Sequence, residues 1–267
     1  MSKKYWIQGL LAAGLLAAGA AQACTTSAWL GGVSGDAAAG GPQEPLVLGR
    51  YSGECSMFAS TGFVQDNSPA EEGQMISRFY FNPNGGGTAV VYRTLSDSPA
   101  VGDAGATVYE VSYDGSAETV TVSSLAAGGG STGAIDVSSA AGWISVEVDW
   151  QSGGQMQVWV NSDALTAPAP TATANAGTDS INSARLGILD ATGTIGAVFD
   201  DYEARRTTAV GRLLVGDSNS DGSIDIADAI TVLLEIGPGG PLAPGVADCN
   251  EDGGVDIADA ICTLLLL

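Results

Sequence analysis

Two short acidic segments near the C-terminus carry the most legible chemistry in this chain. Residues 217–228 read DSNSDGSIDIAD and residues 248–259 read DCNEDGGVDIAD, with their starts 31 residues apart. In the first, Asp217, Asn219 and Asp221 stand at positions 1, 3 and 5, Gly222 at 6, Ser223 at 7, Asp225 at 9 and Asp228 at 12. The second repeats the pattern with Asp248, Asn250, Asp252, Gly253, Gly254, Asp256 and Asp259. Oxygen donors at alternating positions let a tight loop wrap a hard cation; glycine at position 6 permits the turn, and position 7 contributes only its backbone carbonyl. Ser223 and Gly254 can therefore differ without consequence. The pattern predicts two Ca²⁺ sites. Magnesium fits less well, because it demands near-octahedral geometry and keeps its waters. Position 12 is Asp where a bidentate Glu is usual, so each following helix must start closer to the ion.

The surrounding charge makes the cation more than optional. From Leu213 to Leu267 there are ten acidic residues and no basic one. Two carboxylates about 4 Å apart repel by on the order of 1 to 4 kcal/mol at effective dielectrics of roughly 80 to 20. That rivals the whole stability of so small a module. The segment is expected to fold with calcium and to loosen when calcium is chelated.

Each loop leads into an apolar helix start, Ile226–Leu234 and Ile257–Leu265. The segments before the loops, Leu213–Gly216 and Leu242–Ala247, are too short or too broken by Gly and Pro to form helices. D-x-N-x-D-G-x-[IV]-D-I-x-D occurring twice, each time loop then helix, resembles a type I dockerin over residues 213–267. The resemblance implies calcium in both repeats and docking onto a cohesin-like domain of a scaffold or cell-surface protein, in the setting of polysaccharide breakdown. Positions 10 and 11, which in cellulosomal dockerins often carry cohesin-selecting hydroxyls, are Ile226-Ala227 and Ile257-Ala258 here. The usual later basic pair is replaced by the neighbourhood of Val232-Leu233-Leu234. An apolar docking face and a purely intramolecular role are both compatible with these departures.

Between Leu46 and Arg206 the chain reads as short alternating segments separated by turns, which is the pattern of an antiparallel β-sandwich. Strands are expected at Met75–Phe81, Thr88–Thr94, Thr107–Tyr113, Thr119–Leu125, Trp143–Trp150, Gln155–Val160, Ala184–Leu189 and Ile195–Ala204. In the fifth, Ile144, Val146, Val148 and Trp150 form the core side, and Trp143, Ser145, Glu147 and Asp149 the opposite one. A hairpin through Ser152-Gly153-Gly154 joins it to the next strand, which repeats the alternation with Met156, Val158 and Val160 against Gln155, Gln157 and Trp159. The run GWISVEVDWQSGGQMQVWVN, followed by SARLGILDATGTIGAVFDDYEARR, resembles the closing strands of laminin-G-like or concanavalin-like jelly rolls, over residues 24–206. The chain is thus expected to be mainly β, a jelly roll at 24–206, a linker at 207–212 and a small α module of two calcium loop–helix repeats at 213–267.

Jelly-roll glycosidases of the laminarinase type present E-x-D-x-x-E on one strand, because glycoside hydrolysis needs paired carboxylates. Glu147 and Asp149 supply the first two, but Ser152 stands where the second glutamate belongs. Both are therefore read as the solvated face of a strand, and only as weak catalytic candidates. Asp200-Asp201 reads as an exposed edge or, alternatively, as a calcium ligand pair. Trp159 and Tyr92 are candidates for a sugar-stacking platform, or else belong in or near the core.

Composition narrows the function further. The chain of 267 residues contains no His, which removes Ser-His-Asp and Cys-His catalysis and His-ligated zinc. Lys3 and Lys4 precede an apolar run at 5–20 and a small-x-small site at Ala21-Gln22-Ala23, together a secretory signal peptide over 1–23. Without it, 7 Arg face 30 acidic residues, a net charge of −23. Such a surface argues against nucleic acid and anionic lipid, and no membrane span is expected. A secreted chain favours bridged cysteines, with Cys24–Cys55 and Cys249–Cys262 the pairing that keeps each bridge within one domain. Cys24 is also the position a lipid would modify. Two functions follow: a secreted, non-catalytic sandwich that binds glycan or another surface, joined to a calcium-dependent docking module; or a divergent glycoside hydrolase or lyase carried by that module. The missing His, Lys and third carboxylate favour the first.

Overall fold

The computed structural model describes residues 25–27, 29–41, 49–140 and 142–267. The leader at 1–23 and Cys24, with its pairing and lipidation, lie outside the described residues, although Cys55 is itself disulfide-bonded. The first strands are β1 (Gly32–Ser34), β2 (Ala38–Gly40), β3 (Ser56–Ala59), β4 (Phe63–Asp66), β5 (Gln74–Asn84), β6 (Thr88–Leu95), β7 (Thr107–Asp114) and β8 (Thr119–Ser124). They are followed by β9 (Ala127–Gly129), β10 (Ile135–Asp136), β11 (Ile144–Gln151), β12 (Gln155–Val160), β13 (Ala172–Thr178), β14 (Ser183–Gly187), β15 (Ala191–Thr192) and β16 (Gly196–Arg205). Two helices close the chain, α1 (Ile226–Glu235) and α2 (Ile257–Leu265).

Among the described residues the strands form two antiparallel sheets of eight. One runs β1-β4-β14-β6-β7-β8-β10 with β15 paired to β6, and the other β2-β3-β16-β5-β11-β12-β13-β9. The expected β-sandwich is present. The hairpin from β11 to β12 pairs Val148 with Val158 and Trp150 with Met156, and Gly153 takes the positive φ of 70° that this turn requires. Between the sheets lie Phe79, Phe81, Val146, Val148, Trp150, Met156, Val158 and Phe199 from one side and Tyr92, Tyr109, Val111, Val120, Val122 and Leu186 from the other. The alternation read from the sequence in β11 and β12 therefore points the right side chains inward. The strands it passed over are short, as in β1 to β4, or carry small residues, as in Ala172–Thr178; their pairing comes from neighbouring strands, not from their own pattern.

The other face of the second sheet corrects a sequence expectation. Trp143, Ser145 and Glu147 are 2%, 2% and 1% exposed, so this side of β11 is not solvated. In β5 likewise, Ser77 and Phe79 and also Arg78 and Tyr80 are buried. The cover is the C-terminal part of the chain. Val210 and Gly211 donate their amides to the two Glu147 carboxylate oxygens at 3.0 and 3.1 Å. Arg78 donates to the Gly211 carbonyl, and Leu213 donates its amide to the Tyr80 hydroxyl at 2.8 Å. The segment expected to be a linker is therefore a strap bonded across β5 and β11. Beneath the module, Tyr51, Tyr80, Trp143 and Val246 form a second apolar cluster, with the Tyr51 and Tyr80 rings stacked at 3.8 Å.

Candidate metal centre and its seat on the sandwich

Each twelve-residue loop is organised by its own carboxylates. Asp217 accepts from the amides of Asp221 and Gly222 at 3.0 and 2.9 Å, and Asp248 accepts from Asp252 and Gly253 at 3.1 and 2.8 Å. Asn219 and Asn250 accept, through their side-chain carbonyls, from the amides of Asp221 and Asp252. Asp221 and Asp252 in turn accept from Ser223 and Gly254. The position-4 residues Ser220 and Glu251 both take left-handed backbone, φ 62° and 58°, and the glycines at position 6 have φ 87° and 93°. The two loops thus share one conformation.

Positions 9 and 12 have a second role that the sequence reading did not assign. Asp225 is the N-cap of α1 and Asp228 its third residue, and each accepts from the other's neighbourhood in a capping box; Asp256 and Asp259 do the same for α2. Asp228 also accepts from Asn219, and Asp259 from Asn250. The last residue of each loop thereby bridges the loop's start and the helix's first turn. A shorter Asp suits this arrangement, since the helix begins at position 10.

The donor set fits calcium in its chemistry. It offers hard oxygens only, and carboxylates at positions 1 and 12 that are buried in both loops: Asp217, Asp228, Asp248 and Asp259 are at most 8% exposed. Burial, with Asp259 and Asp252 adding to it against the Gly253 amide, pushes Asp248 up to about 7. A buried carboxylate beside two others is favoured by a cation. Among the described residues no three acidic or cysteine side chains stand together as a closed metal-holding group. Cys249 and Cys262 form the expected disulfide, tying the entry of the second loop to the helix that leaves it.

The remaining sequence candidates fall elsewhere. Glu147 is held by the strap, and Asp149 is half-buried, accepting from Gln74. Asp200 and Asp201 do not form an exposed edge, because β16 lies between β3 and β5. A register shift between Asp200 and Glu203, with φ 46° at Asp201, turns them toward the module side. Asp200 accepts from the amides of Tyr51 and Ser52, and Asp201 from the Ser52 hydroxyl. Burial, then Asp201, holds Asp200 far above the usual carboxylate range. Tyr92 and Trp159 make no platform: Tyr92 is in the core between the sheets, and Trp159 is 3% exposed and donates to the Ala167 carbonyl.

Sequence reasoning missed the residues that seat the module. Arg50 pairs with Glu235 at the end of α1 at 2.5 Å, the two side chains 3% and 9% exposed. Arg212 and the Tyr51 hydroxyl both donate to Glu251. Burial raises Tyr51 well above a usual phenol, so it stays a donor. Arg50, Tyr51 and Arg212 lie outside the strands, where no local pattern marks them; the signal the sequence did hold was Trp143, a bulky side chain on the β11 face read as solvated. The module's other side is open. Ile226, Ile230, Leu233 and Leu234 of α1 and Ile257, Ile261, Leu264 and Leu265 of α2 are 44–82% exposed.

No family model matches the chain, and no curated protein does. Among solved structures it is similar to the endo-beta-1,4-glucuronan lyase of the fungus Trichoderma reesei, at 10% identity over 69% of this chain and 94% of that one, TM-score 0.48. It is also similar to the receptor binding domain of botulinum neurotoxin type G, at 11% identity over 64% of this chain and 44% of that one, TM-score 0.42. A third likeness is to botulinum neurotoxin type C, whose cell entry depends upon interaction with two ganglioside molecules, at 11% identity over 65% and 43%, TM-score 0.41. The chain spans less than half the length of the neurotoxin structures. Overlaps this loose assign no function.

Proposed function

We propose that this is a secreted, calcium-dependent docking protein. Its C-terminal dockerin-like module takes up two calcium ions, through Asp217, Asn219, Asp221, Asp228 and the Ser223 carbonyl in one loop and Asp248, Asn250, Asp252, Asp259 and the Gly254 carbonyl in the other. Asp225 and Asp256 sit at position 9, where a ligand commonly acts through water. The ions would supply the positive charge that the acidic side chains of each loop lack. The sandwich is the non-catalytic part, which binds a glycan or another surface.

One observation carries the reading. Two loops of the same sequence pattern and the same backbone each launch a helix whose outward face repeats Ile, Ile, Leu, Leu at matched positions. Exposed apolar patches of this kind mark protein contact sites. The opposite face of the module is already spent on the sandwich. The outward face is therefore the one left for a partner of cohesin type or another cell-surface scaffold. The enzymatic alternative loses its leading residue, because Glu147 is engaged by two amides of the strap.

Equilibrium dialysis of the full secreted chain is expected to find two Ca²⁺ per molecule. Asp228→Ala and Asp259→Ala should each remove one. No stoichiometric uptake by the unaltered protein would overturn the proposal.

A further inference from the structure

We propose that the two loops do different work: calcium in the second loop latches the module to the sandwich, whereas calcium in the first shapes the module alone. The proposal rests on the calcium reading above and deepens it by assigning each ion a separate consequence.

The asymmetry begins at position 4. In the first loop this residue is Ser220, exposed to solvent. In the second it is Glu251, which accepts from the Tyr51 hydroxyl at 2.8 Å and from Arg212 of the strap. The backbone is the same in both, so the difference lies in the side chain and in what faces it. The next residues repeat the contrast. A Cβ added at Gly253 would stand 2.9 Å from the Asn82 amide nitrogen, while one added at Gly222 would meet nothing within 4 Å. From the sandwich side, a Cβ on Gly142 would stand 3.1 Å from the Glu251 carbonyl oxygen, and one on Gly49 3.3 Å from that of Gly253. Two glycines of the sandwich thus let the backbone of the second loop lie directly on it.

Among the described residues the first loop itself has no such seat; its repeat meets the sandwich through the Arg50–Glu235 pair at the far end of α1. Between it and the sandwich is a cavity of about 310 Å³ lined by Ser52, Gly53, Asp201, Asp217, Ser220 and Pro244, among others. Its backbone partners are in the module: Asp217 and Ser218 accept from the amides of Val246 and Gly245.

The link from metal to latch is short. The amides of Asp252 and Gly253 are fixed by the Asp248 carboxylate, a proposed ligand, and Glu251 precedes them. A cation that fixes Asp248 and Asp252 fixes the peptide from which Glu251 reaches Tyr51 and Arg212. Without it, like-charge repulsion among Asp248, Asp252 and Asp259 spreads the loop, and the latch loses its base.

Trypsin reads this directly, because Arg206 precedes the strap, Arg212 ends it, and the module beyond has no Lys or Arg. The full-length secreted protein in calcium is expected to resist cleavage after Arg212. Asp248→Asn should speed that cleavage, whereas Asp217→Asn should leave it near the unaltered rate. Glu251→Ser, which copies the first loop and touches no proposed ligand, should keep two Ca²⁺ per chain. It should nonetheless be cut roughly tenfold faster, as fits loss of a charge-assisted hydrogen bond that holds a locally opening segment. Equal rates for the Asp217 and Asp248 variants, or an unchanged rate for Glu251→Ser, with two ions still bound by the unaltered protein, would overturn the latch alone. No uptake by the unaltered protein would overturn both it and the calcium reading.

Discussion

At the scale of single residues, Glu147 shows how far a side chain's role depends on what covers it. By spacing it was half of a carboxylate pair on an open strand face. In the fold it is 1% exposed and accepts two backbone amides of the strap. Arg78, 4% exposed, serves the same segment with opposite polarity, donating to the Gly211 carbonyl, and also donates to the Asp201 carbonyl of β16. Buried polar groups of this kind act through satisfaction: removing one partner strands the other. Glu147→Gln keeps the shape but can no longer accept both amides, so it is expected to lower stability by about 1 to 3 kcal/mol. Denaturant unfolding with an unchanged m-value would measure this, and a loss of under about half that range would mean the strap finds other acceptors. Tyr92 and Trp159 teach the same lesson, since an aromatic at an outward or inward strand position looks alike until the opposing layer is placed.

At the scale of elements, the loop–helix repeats were readable because everything that makes them is local. Asp217 and Asp248 reach amides four and five residues on, and each cap lies within three residues of its partner. Asp225→Ala and Asp256→Ala, which remove an N-cap acceptor, are each expected to cost about 1 kcal/mol, read as a drop in helical circular dichroism and in Tm. An effect confined to calcium affinity, with no change in helix content, would show that capping is secondary to the metal. The disulfide across the second repeat closes a sequence separation of 13 residues. Replacing Cys249 and Cys262 together by Ser, which leaves the bridge at Cys55 in place, is expected to cost the module about 3 kcal/mol on the chain-entropy account, visible as earlier unfolding of the module with the sandwich transition unchanged. The strands missed in the sequence, such as Ala172–Thr178, are poor in the branched and aromatic residues that announce a strand; Met156 and Gln157 of β12 hold it in register.

At the scale of the whole molecule, the acidic character becomes a pH dependence. Burial, reinforced by neighbouring carboxylates, raises Asp248 to about 7 and raises Asp200 and Asp201 above their usual range. A carboxyl raised by folding binds its proton more tightly in the native state. The stability it contributes is therefore full below the unfolded value near 4, and is lost as pH rises through the folded value. Asp36, Asp114, Asp136 and Asp163 shift the other way, so their contribution is lost only below about pH 4. The calcium-free protein is thus expected to melt at a higher temperature at about pH 5 than at about pH 7. Calcium should reverse the order, since its ligands must be deprotonated. Calorimetric scans of calcium-stripped and calcium-loaded protein test this, and a calcium-free Tm that rises over that interval would contradict it. Deleting 213–267 should in turn uncover Tyr51, Tyr80 and Trp143, detected as new binding of a hydrophobic dye.

The amino-acid sequence alone determined the inward faces of β11 and β12, the hairpin between them, both acidic loops and the start of each helix. Each of these depends on periodicity or on partners a few residues away. Only the tertiary structure decided what lies on the outer face of the second sheet, because the groups that meet there are remote in the chain. The Glu147 carboxylate and the Val210 amide are 63 residues apart, and the Tyr51 hydroxyl and Glu251 are 200 apart. No local pattern distinguishes a strand face that meets water from one that another segment will cover. That difference turned a candidate catalytic carboxylate into an anchor, and a presumed linker into the strap that seats the module.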